Sequence, residues 1–374
     1  MSSLPLDIHL KNFHQANGAK MVSFAGFNMP INYQTGIINE HKNVRNHSGI
    51  FDVSHMGQVL IECKDPYIKN LEKYIPLKLS KLKRNKSHYT FLLNENGGVV
   101  DDLIVSLINL NGKSILYIVY NASRKNEDEK IFFNCVSNAE IIHNKNCLFA
   151  IQGPESNEVL KNIIEIPKNM KFLDIDILEY KKNSVIVSRS GYTGEDGFEI
   201  SISNKYAEVF LKDLLENKNT MLCGLGSRDS LRLEAGLSLY GHELNENITP
   251  IEAGLSWALD KGRLNDSALN GNKILYDQLL KKPSNKKIGL VSANRSMLRD
   301  GMILLDSNKN NIGKITSGCF SPNLNKSIAI GYVKSNFDEE NEIFCEIRNK
   351  MELVKKTNLP FVKKNYKKNG SNNE

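Results

Sequence analysis

The sequence predicts an α+β protein, and two observations carry that assignment. Through the first two thirds of the chain, helix-like and hairpin-like runs alternate irregularly, without the β-α-β-α order of a doubly wound sheet. After about residue 270, short strand-like runs follow one another at close spacing with turn residues between them, which reads as a small β-barrel or sandwich.

The elements follow in order. Lys20–Pro30, with Phe24, Gly26, Phe27 and Met29, reads as irregular structure around Gly and Pro. Residues 39–46 have helical spacing, with Glu40, Lys42 and Arg45 on a solvated face, and Ser48-Gly49 stops the helix. Residues 50–61 continue as strand-like apolar alternation. Residues 89–93 and 99–108 are strands joined by the turn-rich Asn94-Glu95-Asn96-Gly97-Gly98, hence a hairpin, and 114–120 is a third strand. Residues 124–133 read as helix and 146–151 as a strand ending at Gly153-Pro154. Strands at 180–188 and 198–202 flank a glycine-rich loop, and 206–215 and 227–235 are helices. The later strands are 286–291, 302–305, 311–317, 327–333 and 342–347. Lys281-Lys282-Pro283-Ser284-Asn285 is the linker, dividing a body at 1–280 from a second unit at 281–366 and a basic tail at 367–374.

With 374 residues, 40% of them hydrophobic, the chain can bury a sizeable core in two or three packed units. The start lacks the charged and apolar regions of a secretory signal, and the apolar runs fall well short of a spanning helix, so a soluble chain without membrane association is expected. The short stretch before the first motif also suggests a chain without a transit peptide. Six cysteines, at 63, 135, 147, 223, 319 and 345, form no C-x-x-C pair and have no histidine at zinc-ligand spacing. They read as buried reduced thiols, with a catalytic thiol as the alternative; reduced thiols favour the cytoplasm. No metal site is expected.

The net charge of +7 is concentrated in two places. One is Lys69–Lys86, with Lys73, Lys78, Lys81, Lys83 and Arg84; the other is the tail with Lys363, Lys364, Lys367 and Lys368. Neither is laced with the aromatics of a base-stacking surface, so nucleic acid is not the expected partner. A solvated lysine surface and a docking face for an anionic partner both remain open.

Nucleotide-binding and hydrolase signatures are absent. Gly191-Tyr192-Thr193-Gly194-Glu195-Asp196-Gly197 has the wrong spacing for a phosphate cradle and ends in two acids that repel phosphate. More telling are Asp101-Asp102, which interrupt an apolar strand. Side chains alternate across a strand, so one acid faces inward, at a cost unless it is hydrogen-bonded or has a chemical task. Glu199 repeats the pattern in Phe198-Glu199-Ile200. Arg228 and Arg232 lie one helical turn apart, where Asp229 or Glu234 can pair with either.

Taken in order, these motifs resemble the glycine cleavage T-protein family. The resemblance rests on Phe51-Asp52-Val53-Ser54-His55-Met56-Gly57, Gly97-Gly98-Val99-Val100-Asp101-Asp102-Leu103, the 191–197 glycine loop, and Arg228-Asp229-Ser230-Leu231-Arg232-Leu233-Glu234-Ala235-Gly236. It continues through Leu239-Tyr240-Gly241, Thr249-Pro250, Trp257, Thr316-Ser317-Gly318-Cys319 and Pro360-Phe361-Val362. It implies a three-domain folate-binding fold with a C-terminal β-barrel, and an aminomethyltransferase that uses tetrahydrofolate as co-substrate and a lipoylated H-protein as partner. By motif, it implies Asp102 as the catalytic carboxylate, Glu199 as the pterin-binding acid, and Arg228 and Tyr366 in the folate site. Tyr89, Met56, Asn121 and Tyr192 match further positions lining that pocket. Another tetrahydrofolate-dependent C1 transferase or demethylase on the same fold is the alternative. Ser106, where relatives often place an aromatic residue, leaves substrate detail open. A folate-binding iron–sulfur assembly factor is disfavoured, because its Lys-Gly-Cys-Tyr segment corresponds here to 232–236 without a cysteine.

Overall fold

The structure, a computed structural model, describes residues 4–294, 296–337, 342–348 and 350–367. Of the basic tail expected at 367–374, only Lys367 lies among them. Strands and helices are mixed in an α+β arrangement with three principal sheet systems, each over its own apolar core.

The first is a five-stranded sheet, in the order Lys86–Leu93, Val99–Leu110, Lys113–Tyr120, Gly57–Glu62, Glu140–Ile141. Its antiparallel core follows from the hairpin at Asn94–Gly98, where the Asn94 side chain accepts from the amides of Asn96 (2.9 Å) and Gly98 (3.0 Å). The second is a six-stranded sheet: Ile175–Tyr180, Asn183–Ser188, Gly197–Ser203, Asn146–Gln152, Ser48–Asp52, Thr220–Leu222. The helix Asn204–Leu215 covers it with Ala207, Phe210, Leu211 and Leu214, which recur at helical spacing.

The helix Asn272–Lys281 ends where a closed six-stranded barrel begins, its first strand being Asn285–Ser292. The runs expected at 302–305, 311–317, 327–333 and 342–347 are barrel strands Ile303–Leu305, Asn311–Ser321, Lys326–Lys334 and Ile343–Ile347. Lys350–Thr357, which the sequence reading did not identify, pairs with both Ile343–Ile347 and Asn285–Ser292 and closes the barrel.

Three local expectations are corrected. Lys20–Pro30 is not irregular: Lys20–Phe24 and Phe27–Asn32 form an antiparallel hairpin through Ala25 (φ 49°) and Gly26 (φ 82°). Two positive-φ residues suit the strand twist, but Ala in the first place conceals the usual Asn-Gly signal. The run 50–61 divides into Ser48–Asp52 and Gly57–Glu62, which belong to different sheets. At the division, Asp52 accepts from the Ser54 amide (2.9 Å) and His14 (2.7 Å). Gly57 has the Tyr120 ring 2.0 Å from where a Cβ would stand, so only glycine fits there.

The expected solvated face of helix Ile37–Asn46 is the third correction. Lys42 is exposed, but Glu40 is fully buried and accepts from the amides of Tyr33 (2.6 Å) and Gly224 (2.9 Å) and from Ser227 Oγ (2.9 Å). Arg45 bridges Glu195 and Glu234, each at 2.8 Å. Charged residues at polar spacing resemble a wet face until another element supplies partners for them.

The helix Leu225–Glu234 is that element, packing on Ile37–Asn46, on Phe27–Asn32 and on two barrel strands. Arg232, on this helix, donates to Glu243 Oε2, Asp229 Oδ1 and Ser317 Oγ, each at 2.8 Å. Glu234 accepts from Arg45, His41 and the barrel residue Ser321. These partners hold its carboxyl down to about 2 against the opposing effect of burial.

Candidate functional site

The acid pair sits where strand alternation requires. Asp101 shares the face of Leu103 and Val105 and is fully buried, whereas Asp102 turns to the other face and is only half-buried. Asp102 is opposite Phe91, and Tyr89, two residues along the partner strand, donates its hydroxyl to Asp102 Oδ2 at 3.0 Å. Asn121, just past the end of Lys113–Tyr120, donates Nδ2 to Asp102 Oδ1 and to Asp101 Oδ1, both at 2.8 Å. Its backbone amide donates to Asp101 Oδ2, also at 2.8 Å. Burial, then the Asp101 charge, pushes the Asp102 carboxyl up to about 7, opposed by the Tyr89 and Asn121 bonds.

Aromatic side chains continue from there. Tyr89 meets Phe91 edge-on and stacks on Trp257, with ring centres 5.7 Å apart. Trp257 is 67% exposed, so this aromatic surface runs out to solvent. Tyr192 donates its hydroxyl to the Ser238 carbonyl and presents its ring to Arg228, 4.9 Å from the guanidinium carbon. The charge of Asp102 reaches Tyr192, placing loop and hairpin on one site.

The glycine loop holds Tyr192 in place through contacts that only glycines admit. A Cβ on Gly191 would stand 1.8 Å from Gln152 Oε1, and one on Gly197 2.4 Å from Nε2. Gln152 ties the loop to the sheet, donating to the Ser190 carbonyl at 2.9 Å and accepting from Thr193 Oγ1 at 2.8 Å. The two loop acids are structural: Asp196 pairs with Arg189, and Glu195 with Arg45 and Asn365.

Arg228 and Glu199 approach from the other side. Glu199 lies in Gly197–Ser203, with Oε2 accepting from Ser190 Oγ at 2.7 Å and no donor on Oε1 among the described residues. Its charge acts on Arg228, whose buried Nη1 has no hydrogen-bond partner among the described residues. A buried guanidinium nitrogen without an acceptor is costly, and a ligand oxygen would satisfy it. Of the two acids expected to pair with Arg228 or Arg232, Asp229 pairs with Arg232, and Glu234 is engaged with Arg45 and His41 instead. Met56 packs against the apolar cluster that includes Phe51, Val53, Leu148 and Leu231 of the Arg228 helix. Tyr366 stacks face to face on Phe172, with ring centres 4.0 Å apart, within reach of the Arg45 and Glu195 charges.

Two further side chains were given no role by the sequence. His55 is buried, has edge-on contacts with Phe24 and Phe27, and has no partner on Nδ1 among the described residues. Burial first, then the Arg228 charge, pushes its imidazole down to about 3, so it is neutral. Asp128, on the helix Lys125–Cys135, is fully buried behind Asp101. His55 lies inside the motif at 51–57, whereas Asp128 is hidden in the charged run Lys125-Asn126-Glu127-Asp128-Glu129-Lys130.

All six cysteines are free, and no group of three or more potential metal ligands occurs among the described residues. No helix among those residues is long and apolar enough to cross a membrane.

Residues 10–263 match the model of the GCVT N-terminal domain, and 285–363 that of the glycine cleavage T-protein C-terminal barrel domain. The mitochondrial aminomethyltransferase of Dictyostelium discoideum is 39% identical, covering 96% of this chain and 93% of its own length. That of Pisum sativum is 38% identical, over 96% and 90%. The crystal structure of the glycine cleavage system aminomethyltransferase T from Bartonella henselae superposes with a TM-score of 0.90 at 34% identity, covering 98% of this chain and all of that one. On both family models and near full-length identity, the chain belongs to the glycine cleavage T-protein family.

Proposed function

We propose that this chain is the aminomethyltransferase of a glycine cleavage system. It transfers the methylene carbon of an aminomethyl group on a lipoylated H-protein to tetrahydrofolate, releasing ammonia and the dihydrolipoyl carrier and giving 5,10-methylenetetrahydrofolate. The observation that carries this reading is Asp102, held by Tyr89 and Asn121 on the open face of its strand. Breaking the bond from carbon to sulfur, and later the loss of ammonia, puts positive charge on the transferred carbon and its nitrogen. A fixed carboxylate beside that carbon stabilises the charge and can take a proton.

The donor set fits a folate. Glu199 Oε1 is available to accept N–H groups from the pterin amide edge, and Arg228 Nη1 to donate to a carbonyl or anionic oxygen. Tyr89, Tyr192 and Met56 supply flat and polarizable walls, with Tyr366 on Phe172 as a further aromatic surface. Tetrahydrofolate supplies the nucleophilic nitrogens that receive the carbon. The six free thiols suit a reducing compartment, which we take to be the cytoplasm. The deciding experiment is ammonia release from aminomethylated carrier with and without tetrahydrofolate; release at equal rates in both would remove the reading.

Glu199→Gln replaces one acceptor oxygen with a donor facing donors. Tetrahydrofolate affinity should fall by about 1.5–3 kcal/mol, the worth of a hydrogen bond to a charged group. Unchanged affinity by titration calorimetry would sink the clamp assignment.

The lysine-rich stretch is assigned to carrier docking. Lys69, Lys78 and Lys86 have acidic partners within the chain, whereas Lys81, Lys83 and Arg84 are exposed with no ion pair among the described residues. Reversing those three to Glu should raise KM for an acidic carrier, with an effect that weakens as salt rises, and leave turnover of a free lipoate adduct unchanged. Equal losses with both substrates, or none, would place the docking face elsewhere.

A further inference from the structure

From Asp102 inward, three carboxyl groups follow one another: Asn121 joins Asp102 to Asp101, and Asp101 acts on Asp128. Asp128 is fully buried, and neither of its oxygens meets an N–H or O–H donor among the described residues. The carboxyl of Asp101, itself fully buried, lies close enough for its charge to act on Asp128. Two bare carboxylates cannot stay that close away from water, so one of them must hold a proton. Asp101 already receives the backbone amide and Nδ2 of Asn121, whereas Asp128 receives nothing. The proton therefore belongs to Asp128, which donates to Asp101.

We propose that Asp128 is a positioning residue of the transfer reaction, a neutral carboxylic acid at physiological pH whose hydrogen bond keeps Asp101 anionic and thereby fixes Asn121 and Asp102. Burial and the Asp101 charge both act on Asp128 in the required direction, pushing its carboxyl up to about 11, with Arg124 opposing. The groups facing the pair among the described residues come from several elements. Arg124 and Glu127 come from the start of the helix, and Tyr120 and Asn121 from the adjacent strand and its end. Tyr240 comes from the segment after Gly236, and Asp102 with Tyr89 from the hairpin. Arg124 is the one cation among them, and it also pairs with Glu246 at 2.6 Å.

The consequences have definite signs. In Asp128→Ala, Asp101 loses a donor while still buried, and takes up a proton itself. Its charge then no longer raises Asp102, which ionises at lower pH. Asp128→Asn keeps a donor, the amide N–H, in place of the acid O–H. The kinetic part rests on the aminomethyl-transfer reading; the protonation of Asp128 does not.

The test has two independent arms. The infrared difference between wild type and Asp128→Asn at neutral pH should contain a protonated-carboxyl C=O band belonging to the wild type. In the ammonia-release assay, Asp128→Ala should move the acid limb of kcat/KM to lower pH by about one unit. Its turnover should drop about tenfold as Asn121 loses its anchor. Asp128→Asn should keep both near their wild-type values. The absence of the infrared band overturns the proposal, even if Asp128→Ala fails to fold or the substrate assignment proves wrong. Equal shifts of the acid limb in both variants, or a lowered Tm with an unchanged pH profile in Asp128→Ala, overturn it as well.

Discussion

Asp102→Asn should lower ammonia release from aminomethylated carrier by about 10²–10³-fold, the usual cost of removing one preorganised electrostatic contact at a transition state. Asparagine keeps the shape and removes the charge. Tetrahydrofolate binding should survive, because the groups assigned to the pterin and its oxygens are Glu199 and Arg228 rather than Asp102. A pH signature accompanies the loss. The Asp102 carboxyl is pushed up to about 7 by burial and the Asp101 charge, so the active carboxylate form is depleted as pH falls below that value. The wild type should therefore show an acid limb near neutrality, and the residual rate of Asp102→Asn should lack it. Near-normal ammonia release from Asp102→Asn, or an acid limb retained in it, would move the catalytic role to another group.

Arg232→Leu should cost about 3–5 kcal/mol of stability, the range for removing one partner of a buried ion pair. Arg232 is 1% exposed and Glu243 fully buried. The substitution takes the guanidinium from a buried Glu243 carboxylate and leaves it to neutral donors such as the Leu239 amide and the Thr316 and Ser317 hydroxyls. Changing Glu243 to Leu in the same chain should recover part of the loss, because two apolar groups need no counter-charge. Urea denaturation measures both. A cost below about 1 kcal/mol for the single change would show that water or neighbouring donors replace the guanidinium.

Much of this arrangement was legible because local chemistry and tertiary role agree. The Asn94–Gly98 turn specifies its hairpin by residue type alone, and that hairpin positions Asp102. Strand alternation puts the two acids on opposite faces, but only the packing around the strand shows that the buried one is Asp101 and not Asp102. What sequence could not supply was the partner of each charge. Glu40 and Arg45 have the spacing of a solvated face, and only the arrival of Leu225–Glu234 and the glycine loop buries them. Asp128 is concealed for the same reason, since nothing in a run of alternating charges marks the one that turns inward. The barrel strand Lys350–Thr357 carries three lysines among its eight residues, and only its pairing on both sides makes it a strand of a closed barrel.

The helix Leu225–Glu234 carries Arg228 to the Tyr192 ring, in the folate site proposed above, and, within two turns, Arg232 and Glu234 toward barrel residues Ser317 and Ser321. A rigid rod gripped at both ends makes occupancy of the pocket and seating of the barrel reciprocal: whatever steadies one end steadies the other by the same free energy. Ligand at a hundred times its dissociation constant adds about 2.7 kcal/mol to the folded state. Because the helix transmits that increment, it should slow hydrogen exchange in barrel amides that never touch the ligand. Exchange in the barrel would then report, from a distance, whether ligand is bound.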